Sequence, residues 1–170
     1  MAVSQQIIKT TLKQGAVYLM RHRTLTSPKK HFVVVMNEHP CGEVIILFNV
    51  VTSKIDTVKK LLQKSGAPHY TAVELSPKTE SFLSVDSLVN CNDCKASSLD
   101  DFKTDLASPE AQFVGNISPK ALADMITATL ASRQVSPAYK KIISQQKFAA
   151  IERTRLLPEA ERSKISIVVS

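Results

Sequence analysis

Apolar segments alternate with polar connections along the chain, and their character changes from one end to the other. The early segments are short and β-branched: "AVYLM" (16–20), "HFVVVMN" (31–37) and "VIILFNVVTS" (44–53) read as strands. The last has the unbroken apolar pattern of a strand buried on both faces or nearly so. Residues 3–13 predict a short helix stopped near Gly15. "EHPCGE" (38–43) predicts a hairpin connection, because Pro and Gly break both regular periods. Residues 54–70 read as a polar insertion with a helical turn from Lys60 to Lys64, ended by Gly66 and Pro68. "TAVEL" (71–75) alternates as a strand, a turn at 82–86 leads into a strand at 87–91, and 113–117 predicts another. The acidic, Ser-rich stretch 95–112 between them reads as a loop with a short helical turn.

The later segments follow the helical period. Ser118 suits an N-cap and Pro119 the first helical position, and Leu122, Met125, Ile126 and Leu130 then form one stripe. Ser136-Pro137 opens a second helix with Tyr139, Ile142, Ile143 and Phe148 mainly on one face, and Pro158 ends it. "KISIVVS" (164–170) reads as a final strand or as an arm that pairs with something else. Strands follow strands without helical crossovers. The predicted fold is therefore mainly β: a small antiparallel barrel over residues 1–135, capped by a helix-and-strand extension over 136–170.

Composition adds a partner class. The chain has 170 residues, 44% hydrophobic and 22% charged, which is the make-up of a globular protein with a real core. No apolar run approaches the ~20 residues that span a bilayer, and no secretory leader is visible, so a cytoplasmic location is expected. The net charge is +7, and its distribution says more. Residues 1–70 carry ten Lys and Arg against three Asp and Glu, while the remainder balances. Such asymmetry suggests a polyanionic partner, nucleic acid or an acidic protein. The densest cationic stretch is the loop after the first strand, where Arg21, His22, Arg23, Lys29, Lys30 and His31 fall within eleven residues.

Common catalytic signatures are missing: there is no Gly-rich phosphate loop, no zinc-protease motif and no nucleophile elbow. Three cysteines do not make a disulfide framework, and Cys91-x-x-Cys94 has no second ligand pair to complete a zinc site. No metal or other cofactor is expected. With 5% aromatic residues and no Trp, a base-stacking platform is weakly supported. What remains is a polar set at strand ends. Lys30 and His31 precede "FVVVMN", and Thr52 and Ser53 close "FNVVTS". In an antiparallel hairpin the start of one strand lies beside the end of the other. Counting outward from the 38–43 connection brings His31 and Thr52 within a few residues of opposite. An imidazole, an ammonium and a hydroxyl below a cationic loop could cleave RNA without a metal. His31 would act as base or acid, Lys30, Arg21 or Arg23 would offset phosphorane charge, and Thr52 would hydrogen-bond a non-bridging oxygen.

The order of these pieces resembles the PemK/MazF-type toxins. Gly15 to Tyr18, Phe32 to Asn37 and Val51-Thr52-Ser53 follow that family's G-[DE]-[VI]-[YW], R-P-x-[VL]-V-[IL]-x-[ND] and [IV]-T-[ST] pieces in order. "DSLVNC", which begins at Asp86, resembles the strand with the family's later contacts, and "VGNISPKALADMITATLAS" its terminal helix. The resemblance spans roughly residues 14–135 and lies in order and spacing. It implies an SH3-like barrel, usually a homodimer, that cuts single-stranded mRNA without a metal and is inhibited by a cognate antitoxin protein. Thr52 matches the family's catalytic Thr. The family's catalytic Arg falls on His31, with Phe32 in the Pro position and Lys30 one place before. The implied catalytic set is His31, Thr52 and Lys30, with Arg21, Arg23, Lys29, Ser53 and Ser87 contacting RNA. The departure at His31 leaves a second expectation open: a catalytically degenerate barrel that binds nucleic acid or a protein partner.

Overall fold

A computed structural model of the chain describes residues 3–158. Among the described residues, seven strands and six α-helices make a mixed α/β fold: α1 (Gln5–Thr11), β1 (Ala16–Met20), β2 (His31–Val35), β3 (Ile45–Thr52), α2 (Ile55–Ser65), β4 (Ala72–Leu75), β5 (Ser87–Asn90), β6 (Lys95–Ser98), α3 (Leu99–Leu106), β7 (Gln112–Asn116), α4 (Pro119–Ala131), α5 (Pro137–Ile143) and α6 (Gln145–Leu156). The helices hold more residues than the strands, so the mainly-β expectation is corrected. Every strand pairing is antiparallel, as the absence of crossovers predicts. The order is β4-β5-β3-β2-β1-β7, with β6 also beside β3.

The sheet does not close into a barrel. β4 and β7 end the path, and among the described residues no pairing joins them. The physical reason lies in what covers the two faces. Strand alternation sends Val17, Val34, Leu47, Val51 and Val89 to one face, where Met125 and Ile126 of α4 and Ile143 of α5 pack on them. It sends Tyr18, Met20, Val33, Val35, Ile46 and Phe48 to the other, against Ile8 of α1 and Phe102 and Leu106 of α3. Helices fill both faces, and no strand-lined interior is left to enclose.

β3 is long because its two halves serve different neighbours. Ile45–Phe48 pair with β6, while Val51 and Thr52 pair with β5. The 38–43 connection includes a short 3₁₀ turn at Pro40–Gly42. Buried Asn37 holds it: its amide donates to the Ile45 carbonyl at 2.8 Å and its carbonyl accepts from the Leu47 N–H at 2.6 Å. Gly15, at φ +84°, starts β1; a Cβ there would stand 3.0 Å from Leu122 of α4. α5 is bound into the same core. Gln14 donates to the Met36 and Ile143 carbonyls at 2.8 and 2.7 Å, and the Glu38 N–H donates to the Ile142 carbonyl at 3.0 Å.

Two segments are more regular than their sequence suggests. Residues 55–65 form a helix of 11 residues, not a single turn, with Gly66 closing it in the left-handed region at φ 71°. Its buried Leu62 and half-buried Ile55 and Val58 make a narrow inward stripe. Residues 95–106 are a strand and a two-turn helix, not a loop. The proposed strand at 164–170 lies outside the described residues.

Candidate functional site

Register decides the geometry. β2 and β3 pair as Val33↔Val50, Val34↔Asn49 and Val35↔Phe48. The paired ladder ends at Val33↔Val50; counted two residues further, His31 and Thr52 fall at opposed positions beyond it. Directly opposed residues of antiparallel strands project to the same face. Their row continues to Met20 on β1 and Leu88 on β5. Both His31 and Thr52 are half-buried, with their strand neighbours Val33 and Phe48 fully buried.

Thr52 Oγ1 accepts the Lys54 N–H at 3.1 Å, which leaves the Thr52 hydroxyl proton free to donate elsewhere. Lys54 is the N-cap of α2 and makes no side-chain cap, so the first turn of that helix opens beside Thr52 with its N–H groups uncapped. Burial, and then the positive charge of Lys54, hold the His31 imidazole below its ordinary pKa. An imidazole below its ordinary pKa, a hydroxyl with a spare proton and an ammonium thus share one end of the sheet. Lys54 was absent from the set the sequence suggests. Its signal is its place two residues beyond Thr52, where the polypeptide turns into α2.

The other expected residues are placed differently. Lys29 and Lys30 are exposed just before β2, and the Lys29 N–H donates to Ser27 Oγ at 3.2 Å. Arg21 is paired with Glu110 at 3.1 Å. Arg23 is paired with Asp101 and Asp105 of α3, both at 2.8 Å. These two arginines are therefore engaged with α3 and the segment after it. Ser53 is exposed. Ser87 is buried, donates its hydroxyl to the Val85 carbonyl at 3.1 Å and, adjacent to Leu88, faces away from Thr52.

His22, which the sequence reading leaves out of the site, anchors the cationic loop. Its ring is buried against Phe48 and Phe102, with centroids 4.8 and 5.9 Å apart. Nδ1 accepts the Thr24 N–H at 3.1 Å, which puts the ring proton on Nε2, 3.5 Å from Asp105 Oδ2. Burial lowers the pKa of His22. Burial alone would raise Asp105, but the hydrogen bonds from Arg23 together with the charges of His22 and Arg23 hold the carboxyl below its usual range. The loop is thus latched to α3 by His22 inside and Arg23 outside.

Burial pushes the Cys91 and Cys94 thiols up to about 12, so both stay protonated near neutral pH. Among the described residues no three His, Cys, Asp or Glu side chains are grouped so as to hold a metal, and no helix is long and apolar enough to cross a membrane. No protein-family model matches the chain, and no curated protein matches it.

Proposed function

We propose that the chain is a divergent PemK/MazF-type toxin, an SH3-like relative whose sheet is left open, acting as a metal-independent endoribonuclease on single-stranded RNA. The observation that supports the reading is the β2–β3 register, Val33↔Val50, which continued two residues brings His31 and Thr52 to opposed positions on one face, with Lys54 acting on His31 and its N–H bonded to Thr52. His31, neutral near pH 7, takes the proton of the 2′-hydroxyl as that oxygen attacks the adjacent phosphorus. Thr52 donates its free hydroxyl proton to a non-bridging oxygen. Lys54 and Lys30 offset the phosphorane charge, and water protonates the departing 5′-oxygen. The products are a 2′,3′-cyclic phosphate and a 5′-hydroxyl. Homodimer formation and inhibition by a cognate antitoxin in the cytoplasm belong to the same reading and rest on the resemblance alone.

Arg21 and Arg23 are occupied by Glu110, Asp101 and Asp105, so neither catalysis nor RNA binding draws on them, and the alternative of a binding module without catalysis rests on the exposed Lys29 and Lys30. Incubation with single-stranded RNA in EDTA separates the two. The nuclease reading expects fragments with 2′,3′-cyclic phosphate ends. RNA that is bound yet stays intact would leave only the binding module.

A further inference from the structure

The row that holds Thr52 continues across the sheet. Thr52 pairs with Leu88 of β5, and Leu88 pairs with Glu74 of β4, so the three side chains project to one face. α2 packs on this part of the face, and its Lys59 holds Glu74 at 2.7 Å. Beneath the helix opens a groove of about 740 Å³, a size ordinary for a site that encloses a small ligand. Its floor is apolar, with Leu62 and Leu88 both buried. Lys59 and Glu74 stand on its rim, and His69 and Tyr70 at its mouth. The two rings meet edge to face, 6.0 Å apart at 71°, and Tyr70 is 59% exposed. An apolar slot with an aromatic lip and a few charged groups suits a flat, polar-edged ring.

We propose that this groove is a base-binding subsite: it takes the base of the nucleotide next to the phosphate at Thr52, and it favours a base with an exocyclic amine over uracil. The step rests on the proposed function, in which single-stranded RNA is the bound polymer. Distance fits. Glu74 lies two strand spacings from Thr52, about 10 Å, and one nucleotide spans such an interval from its phosphate to the edge of its base. Charge fits as well. The segment 54–65 carries Lys54, Lys59, Lys60 and Lys64 against one acid, Asp56, so a polyanion can follow the helix. Tyr70 supplies the stacking face, which every base can use. Discrimination comes from Glu74. Its Oε1 holds the Lys59 ammonium, and Oε2 is left to accept from an amine such as cytosine N4. Lys59 also keeps the carboxylate from repelling the phosphates. Uracil has a carbonyl on either side of its one ring N–H on that edge, and those oxygens oppose a carboxylate.

Fluorescence anisotropy of the full chain with oligodeoxycytidine and oligodeoxyuridine of equal length tests this. The two carry the same backbone charge and lack the 2′-hydroxyl, so binding is read apart from cleavage. Wild type is expected to bind the cytidine oligomer at least about fivefold more tightly. Tyr70→Ala should weaken that binding by about 5–100-fold, the worth of one stacked base, while Tyr70→Phe keeps it. Glu74→Ala should bring the two affinities together. Both residues are exposed, so circular dichroism should stay that of wild type. Equal wild-type affinity for the two oligomers, no binding of either, or a Tyr70→Ala variant that binds as wild type does would overturn the proposal. If RNA is cut while affinity ignores Tyr70 and Glu74, the subsite falls and the nuclease stands. If RNA stays intact while the cytidine preference depends on both residues, the nuclease falls and the subsite stands.

Discussion

Replacing His31 with alanine is expected to slow RNA cleavage by about 10²–10⁴-fold, the usual worth of a positioned general base. The side chain is half-buried at the start of β2, so circular dichroism and the unfolding midpoint should change little. The pH dependence carries a sharper signature. Burial and Lys54 hold His31 below its ordinary value of ~6.5. A base must be neutral to act, so the rate should rise with pH through the lowered pKa and level off above it, placing the midpoint of the acid limb below ~6.5. Lys54→Gln removes the repelling cation and should move that midpoint up. Burial, the larger cause, should still keep it below the ordinary value. A wild-type midpoint above ~6.5, or one that Lys54→Gln leaves in place, would remove His31 as the base.

The second large effect concerns the scaffold. Phe102 is fully buried on α3, 5.7 Å from the Phe48 ring and 6.3 Å from that of Tyr18, with His22 on its flank. Phe102→Ala should cost about 3–5 kcal/mol, combining lost transfer energy with the cavity left behind. That is a large share of the ~5–15 kcal/mol typical of a domain. Because Asp101 and Asp105 sit on the same helix, the loop 21–30 should loosen along with the core. Urea unfolding reads the first effect, and amide exchange at residues 22–25 the second. A loss under about 1 kcal/mol would mean that α3 is not what pins this face of the sheet. Phe102→Leu, which keeps most of the volume, should recover most of the loss.

The long strands are legible in the sequence because β-branched runs bounded by Pro and Gly have few other readings. The opposition of His31 and Thr52 can be counted from the short connection between β2 and β3, since antiparallel pairing leaves little freedom once a hairpin is set. α4 is legible from Ser118, which does accept the Ala121 N–H. α3 carries a comparable signal that is easily passed over. Ser98 accepts the Asp101 N–H at 3.0 Å, and Phe102 and Leu106 follow four apart, but the Ser- and Asp-rich composition around them reads as loop. β6, "KASS", has little strand propensity of its own and is a strand because β3 offers it a partner. The occupation of Arg23 by carboxylates 78 and 82 residues away is a tertiary fact with no local trace. The same is true of the unclosed sheet, which follows from helices arriving on both faces.

A titration followed by NMR goes to the centre of the question. A single-stranded oligonucleotide with 2′-deoxy sugars binds without offering a nucleophile. Added stepwise, it should shift the His31 ring proton and the Thr52 methyl with one shared midpoint, while the Ser87 amide stays still. Binding that leaves His31 and Thr52 unmoved, with the changes falling instead on the lysines and arginines of residues 137–155, would contradict a shared phosphate pocket at the β2–β3 end.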